Sequence, residues 1–236
     1  MVKTKVKEIF DARFVGEFEP MVRLDNVRFN FICDEDKESL IGDVSEEEVK
    51  NVVWSCDSSK SPGPDGFNFC FIKYCWVCLK EDFVSAVNDF MVNDKWPRGS
   101  NASFICLISK TENLQQLSDY RPFSLIKCVY KIMSKILAIR LKNMISKVID
   151  VRQYGFLEGM RLLDNILVAN EVLEEMKRKK KSYVFFKVDY EKAYDSVRWD
   201  FIYYMLGRLG FCEKWISWIK VFGISVNVNF CKRESY

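Results

Sequence analysis

Apolar and polar positions alternate along this chain with two periods, one near 3.6 residues and one of two. From Leu125 to Ile149 the positions Ile126, Val129, Met133, Ile136, Leu137, Met144, Ile145 and Val148 keep helical spacing, predicting one long helix or two in succession. Leu162 to Met176 repeats the pattern, with Glu171, Glu174 and Glu175 on the outer side. Phe67 to Phe90 also reads as helical, with Phe71, Tyr74, Cys75, Cys78 and Leu79 on one face. A shorter helix starts at Ser45-Glu46-Glu47-Glu48, Ser45 as N-cap and Glu48 as its capping-box partner, and continues into Val49, Val52 and Val53. The period of two appears at Tyr183–Tyr190, where Val184, Phe186, Val188 and Tyr190 oppose Phe185, Lys187 and Asp189. It returns at Ile224, Val226, Val228 and Phe230, and Phe104 to Ile108 is a short apolar run with a leaning to strand. Two helical stretches fill the interval from Arg198 to about Phe222, with Asp195 or Ser196 suited to cap the first.

Breakers punctuate these elements. Ser58 to Gly66 holds two prolines and two glycines within five residues and reads as a fixed, turn-rich loop. Pro97, Gly99 and Tyr120-Arg121-Pro122 interrupt the chain again. Residues 11–44 show little periodicity and are expected to form loops with short elements. Helices mixed with a few strands place the chain in the α+β class.

Composition sharpens this picture chiefly through an absence. The chain has no histidine, which excludes a His-based triad, a His metal ligand and an imidazole acid–base catalyst. Its nine cysteines are an odd number, and no apolar leader follows Met1 to Phe10. The expectation is reduced thiols in an intracellular protein, nuclear or cytoplasmic and not secreted. No run of 18 apolar residues occurs, so no membrane span is expected. Cys75-Trp76-Val77-Cys78 has C-x-x-C spacing without a second such pair, and its place on an apolar face favours buried thiols over zinc.

The net charge of +3 hides a gradient. Residues 1–57 hold 8 basic and 14 acidic side chains, net −6, whereas residues 110–181 hold 15 and 8, net +7. Between Asp119 and Asp150 there is no acidic residue, and Lys127, Lys131, Lys135 and Lys142 fall on one stripe. A stripe of one sign repels itself, so a polyanion is a natural partner; an ordinary solvated helix face is the alternative. The run Lys177–Lys181 suits a helix C-terminus, a nuclear address or a phosphate contact.

Asp189 stands near the end of the clearest strand, just before a turn and a helix. A carboxylate so placed can hold Mg²⁺ while leaving coordination sites open, or can simply end the strand on backbone amides. The segment Phe186-Lys187-Val188-Asp189-Tyr190-Glu191-Lys192-Ala193-Tyr194-Asp195-Ser196-Val197 resembles the first palm motif of reverse transcriptases of non-LTR (LINE-type) retrotransposons, close to plant versions. Three further motifs appear in family order. Lys60-Ser61-Pro62-Gly63-Pro64-Asp65-Gly66-Phe67 is similar to the early loop. Ile108-Ser109-Lys110 with Asp119-Tyr120-Arg121-Pro122-Phe123-Ser124-Leu125-Ile126 is similar to the fingers motif. Gln153-Tyr154-Gly155-Phe156-Leu157-Glu158-Gly159 is similar to the segment between fingers and palm. The family usually has Ile at the place of Phe123 and Ala-Phe at the place of Gly155-Phe156; an Arg commonly follows its Glu-Gly pair, where Met160 and then Arg161 stand here.

The resemblance implies a right-hand polymerase architecture. Residues 1–57 would be an acidic N-terminal connector, residues 58–182 mostly helical fingers, and residues 183–236 the N-terminal part of an antiparallel-sheet palm. It implies an RNA-directed DNA polymerase that uses two Mg²⁺ ions, an RNA template, a DNA primer and a dNTP. By motif match Asp189 is the first metal carboxylate and catalytic residue, and the Tyr190 carbonyl is a backbone ligand. Tyr194 lies under the incoming sugar, and Lys110 and Arg121 contact the triphosphate. A loop salt bridge is the plain alternative for the last two. No Asp-Asp pair occurs in the chain, and the carboxylates after Asp195 are Asp200, Glu213 and Glu234. The aspartate-pair box and thumb of the family are therefore missing, and the expectation is a truncated copy without polymerase activity. Its 183–236 part should be less stable than the fingers half. Rival readings are a non-catalytic nucleic-acid-binding remnant using the 121–147 stripe, a helical scaffold, and an oxygen-metal hydrolase using Asp189 and Asp195.

Overall fold

The computed structural model describes residues 20–96, 99–110, 112, 119–150, 153, 162–180, 182, 184, 197–224 and 227–230. Its elements in chain order are α1 (Asp34–Ile41), α2 (Glu46–Trp54), α3 (Phe69–Tyr74), α4 (Trp76–Asn93), β1 (Ala102–Ser109), β2 (Tyr120–Ile126), α5 (Cys128–Val148), α6 (Leu162–Arg178), α7 (Trp199–Arg208), α8 (Glu213–Ile224) and β3 (Asn227–Phe230). The class is mixed α+β. The strands form one sheet in the order β2-β1-β3, β1 antiparallel to β2 and parallel to β3. The strand expected at Tyr183–Tyr190 and the motif at Gln153–Gly159 fall outside the described residues, apart from Gln153 and Val184.

One apolar cluster organises the helices. Val49, Val52 and Val53 of α2 meet Ile132, Met133, Ile136 and Leu137 of α5, all at most 3% exposed. Each such side chain contributes roughly 1.5–3 kcal/mol through its removal from water. The start of α2 forms as expected in one half: Ser45 Oγ accepts the Glu48 N–H at 3.1 Å. The Glu48 side chain does not return to Ser45; it pairs with Arg140 of α5.

The structure differs from the sequence reading in two places. The helix expected over Phe67–Phe90 is two helices, divided at Cys75 (φ −91°, ψ 15°). The buried positions Phe69, Ile72, Trp76, Val87, Phe90 and Met91 keep one helical stripe across that break, opposite the expected face, and Phe71, Tyr74 and Cys78 are exposed. The buried-thiol reading thus fails for Cys78. Second, Tyr120-Arg121-Pro122 does not break the chain but opens β2, and the following helix begins only at Cys128. Lys110 N–H donates to Asp119 O at 2.7 Å, so Lys110 and Asp119 form a hydrogen-bonded pair. Pairs alternate along an antiparallel ladder, which makes Leu107/Pro122 a non-bonded pair where the missing proline N–H costs nothing.

In the N-terminal segment, Ile32, Leu40 and Val44 join the common cluster and are at most 3% exposed. Helix α8 docks on α4 through buried tryptophans. Trp215 and Trp218 are fully buried, and Trp218 Nε1 donates to Asp94 Oδ1 at 2.6 Å. Asp94 holds the left-handed C-cap of α4 (φ 54°), so one side chain fixes both a helix end and the docking of α8. The helices α7 and α8 approach closely at Gly223, where a Cβ would lie 2.5 Å from the Tyr203 hydroxyl. Strand β3 pairs parallel to β1, so this sheet is mixed.

Candidate nucleotide and nucleic-acid site

The β1–β2 hairpin positions two of the expected site residues. Ile108 lies opposite Arg121, and Ser109 opposite Tyr120. Cross-strand partners point to the same face, and residues two apart on one strand share it. Arg121, Ile108 and Lys110 therefore project from one side. Lys110 and Arg121 are diagonal neighbours, with backbones roughly 7–8 Å apart. Both are exposed, and Ile108 and Phe123 are each 50% exposed. The opposite face of β1 is the inward one, carrying buried Ser103 and Ile105. Asp119 stands directly across from Lys110 on the outward face, so a carboxylate borders the two cations.

The proline–glycine loop is fixed to the other end of this hairpin. A Cβ at Gly63 would lie 2.3 Å from the Ile126 carbonyl oxygen, so only glycine permits this approach. Two residues on, Asp65 Oδ2 accepts the Cys128 N–H at 2.7 Å. That carboxylate satisfies an orphan amide in the first turn of α5 and meets the positive end of the helix dipole. The Cys128 thiol donates to Phe67 O at 3.2 Å, and burial, then the Asp65 charge, pushes its pKa up to about 12. Sequence reading saw the loop but not this cap. An Asp between Pro64 and Gly66 was the available signal, and its target lies 63 positions away.

Behind the loop is a cavity of about 930 Å³, apolar for the most part, with Phe71, Phe83 and Trp96 in its wall and Asp65 and Lys127 at one side. Lys127 is the residue just before α5.

The remaining members of the α5 stripe behave differently. Lys131 Nζ lies 5.5 Å from the centre of the Phe69 ring. Lys135 Nζ donates to Ser55 O at 2.9 Å and toward Cys56 Sγ at 3.8 Å. Arg140 donates to both Glu48 oxygens at 2.8 Å and to the carbonyls of Leu40, Gly42 and Asp43. Lys147 pairs with Asp36, whose carboxyl is held below its ordinary range by that hydrogen bond. Lys142 is exposed. The acidic N-terminal segment thus neutralises part of the basic helix from within the molecule.

Asp189, Tyr190 and Tyr194 lie outside the described residues. Among the described residues no group of three Cys, Asp or Glu stands close enough to hold a metal ion, and no helix is long and apolar enough to cross a membrane.

Residues 108–236, more than half of the chain, match the family Reverse transcriptase (RNA-dependent DNA polymerase). This chain belongs to the reverse transcriptase family. Its match begins in β1 and takes in Lys110, Arg121 and Asp189. Over 184 residues it is 27% identical to an uncharacterized 149 kDa protein of transposon TX1 from Xenopus laevis, covering 78% of this chain and 14% of that protein. It is 27% identical to the Pol polyprotein of an R2 retrotransposable element from Nasonia vitripennis, over 65% of this chain and 14% of the relative. A third relative, the R2DM Pol polyprotein of Drosophila melanogaster, is 26% identical over 69% of this chain and 15% of its own length. This reverse transcriptase chain thus spans 14–15% of these three relatives, all proteins of non-LTR elements, the group its four motifs resemble.

Proposed function

We propose that this chain is part of an RNA-directed DNA polymerase of a non-LTR retrotransposon, and that its β1–β2 hairpin holds the triphosphate of the incoming dNTP. The observation that carries the reading is the shared, exposed face of Lys110 and Arg121 at the start of the family match. Lysine offers a compact charge and arginine a planar fork, and together they suit the oxygens of a polyphosphate. Residues 58–182 form the fingers in this reading, residues 183–236 part of a palm in a right-hand architecture, and residues 1–57 an acidic segment that braces the fingers. An RNA template and a DNA primer are the macromolecular partners.

The family's chemistry is supplied by divalent ions, here two Mg²⁺, which activate the primer hydroxyl and stabilise the leaving pyrophosphate. Asp189 and the Tyr190 carbonyl would take one of them, with Tyr194 beneath the sugar. A pair of divalent ions needs several converging carboxylates to balance its charge. These 236 residues contain no Asp-Asp pair, so their donor set falls short and no catalytic step is derived through the metals. The 236-residue polypeptide is therefore expected to bind nucleotide without extending a primer. Primer extension with Mg²⁺ and labelled dNTP tests this. No incorporation is expected; incorporation that disappears in Asp189→Ala would show a complete metal site.

A further inference from the structure

We propose that the cavity behind the proline–glycine loop is a binding site for a small aromatic cation, a molecule of two or three fused rings carrying a protonated amine. At about 930 Å³ it falls in the size range of small-molecule sites, ~300–1,000 Å³. Two stacked ring pairs stand in its wall. Phe67 and Phe71 have centroids 4.9 Å apart with 17° between their planes, and Phe90 and Trp96 have centroids 4.8 Å apart with 27°. Phe67 and Phe71 are 49% and 43% exposed, so this pair leaves ring surface uncovered. Ring faces carry partial negative charge, and they attract a flat cation as well as an apolar ring. Neither Lys110 nor Arg121 lines the cavity, so the site is separate from the polyphosphate-binding face.

The charges beside the rings choose the sign of the ligand. One stripe of α4 enters the wall as Asp82, Ala86 and Asp89: two acids two helical turns (~10 Å) apart, with a small side chain midway as a notch. Both acids are exposed. A third carboxylate, Asp65, enters from the loop. Its Oδ2 accepts the Cys128 N–H, but Oδ1 is shielded from solvent and has no hydrogen-bond partner among the described residues. The Asp65 charge is therefore under-compensated, and away from water it acts more strongly on its surroundings. Lys95 and Lys127 also line the cavity, so three carboxylates stand against two ammonium groups. The excess is one negative charge, which a single protonated amine balances. An anion on the same ring system meets repulsion from both that excess and the ring faces.

The test uses the full 236-residue chain, freed of nucleic acid by nuclease and high salt, and two three-ring compounds of opposite charge. One is aminoacridine, a cation at neutral pH; the other is acridine carboxylate, substituted at the same carbon. Calorimetric titration should show the cation binding saturably at one site, about tenfold tighter than the carboxylate. Ala86→Trp fills the notch in α4 and should abolish binding of the cation. Asp82→Asn with Asp89→Asn changes exposed positions only, and should weaken the cation several-fold while narrowing its lead over the carboxylate. This second variant reads the same site without entering the core. Absence of saturable binding by the cation, equal affinity for the two compounds, or affinity for the cation unchanged in the paired Asp82 and Asp89 variant would each overturn the proposal.

Discussion

The α5 helix and the β1–β2 hairpin both carry cations that suit a polyanion, yet the fold uses them differently. On α5, Lys135, Arg140 and Lys147 reach carbonyls and carboxylates of residues 36–56, and Lys131 lies against a buried ring. On the hairpin, Lys110 and Arg121 point away from the core. The difference comes from partners that are distant in the chain. A one-signed stripe signals a missing counter-charge, and here α1 and α2 bring much of it from about 90 to 110 positions away. Local pattern identifies the cations; tertiary packing decides which ones face the solvent.

The comparison can be broken most directly at Arg140. Its guanidinium is 11% exposed and satisfies Glu48 and three carbonyls. Arg140→Ala leaves those groups unpaired and should lower stability by about 3 kcal/mol, read as a shift in the urea midpoint. A loss under about 0.5 kcal/mol would mean the pair is a surface ornament. The hairpin should respond in the opposite way. Lys110→Gln with Arg121→Gln should weaken dNTP binding at least tenfold, about 1.4 kcal/mol, while leaving the urea midpoint in place.

A smaller effect sharpens the contrast through pH. The Lys147 hydrogen bond lowers the Asp36 pKa, so the folded state binds that proton less readily than the unfolded chain. The stabilisation is present above the unfolded carboxylate value and is lost as pH falls through the lower folded value. Lys147→Met should lower stability at neutral pH, change little below the folded Asp36 value, and so remove part of the acid-side slope of stability. A slope unchanged by the substitution would assign it to other carboxylates. Smallest of all, Asp119→Asn removes a carboxylate opposite Lys110 and should raise dNTP affinity a few-fold at low salt, with the gain fading as salt screens it.

Much of the fold was legible, and the failures have definable causes. The Ser45 cap, the Val49–Val53 face and the strand at Phe104–Ile108 followed from local rules, and all three form. The buried face of α3 and α4 was misread because apolar residues stand on both sides there, Phe71 and Tyr74 on one and Phe69, Ile72 and Trp76 on the other, and only packing chooses between them. Pro122 was read as a stop because its tolerance depends on ladder phase, which exists only once β1 is paired. The docking of α8 on the end of α4 depends on Trp218 reaching Asp94, a contact across 124 positions that no window of sequence contains. For the site, motif order pointed to Lys110 and Arg121, and strand register put them on one face. The cap of α5 by Asp65 and the internal use of Lys135 emerged only from packing.

The central claim is that the hairpin, and not the α5 stripe, takes the polyphosphate. A fluorescent dATP analogue titrated at two salt concentrations into wild type, Lys110→Gln/Arg121→Gln and Lys131→Gln/Lys135→Gln measures it directly. The account predicts a loss of tenfold or more for the hairpin pair, with a flatter salt dependence, and wild-type affinity for the helix pair. Equal affinity in the hairpin variant, with the loss appearing in the helix variant, would contradict it.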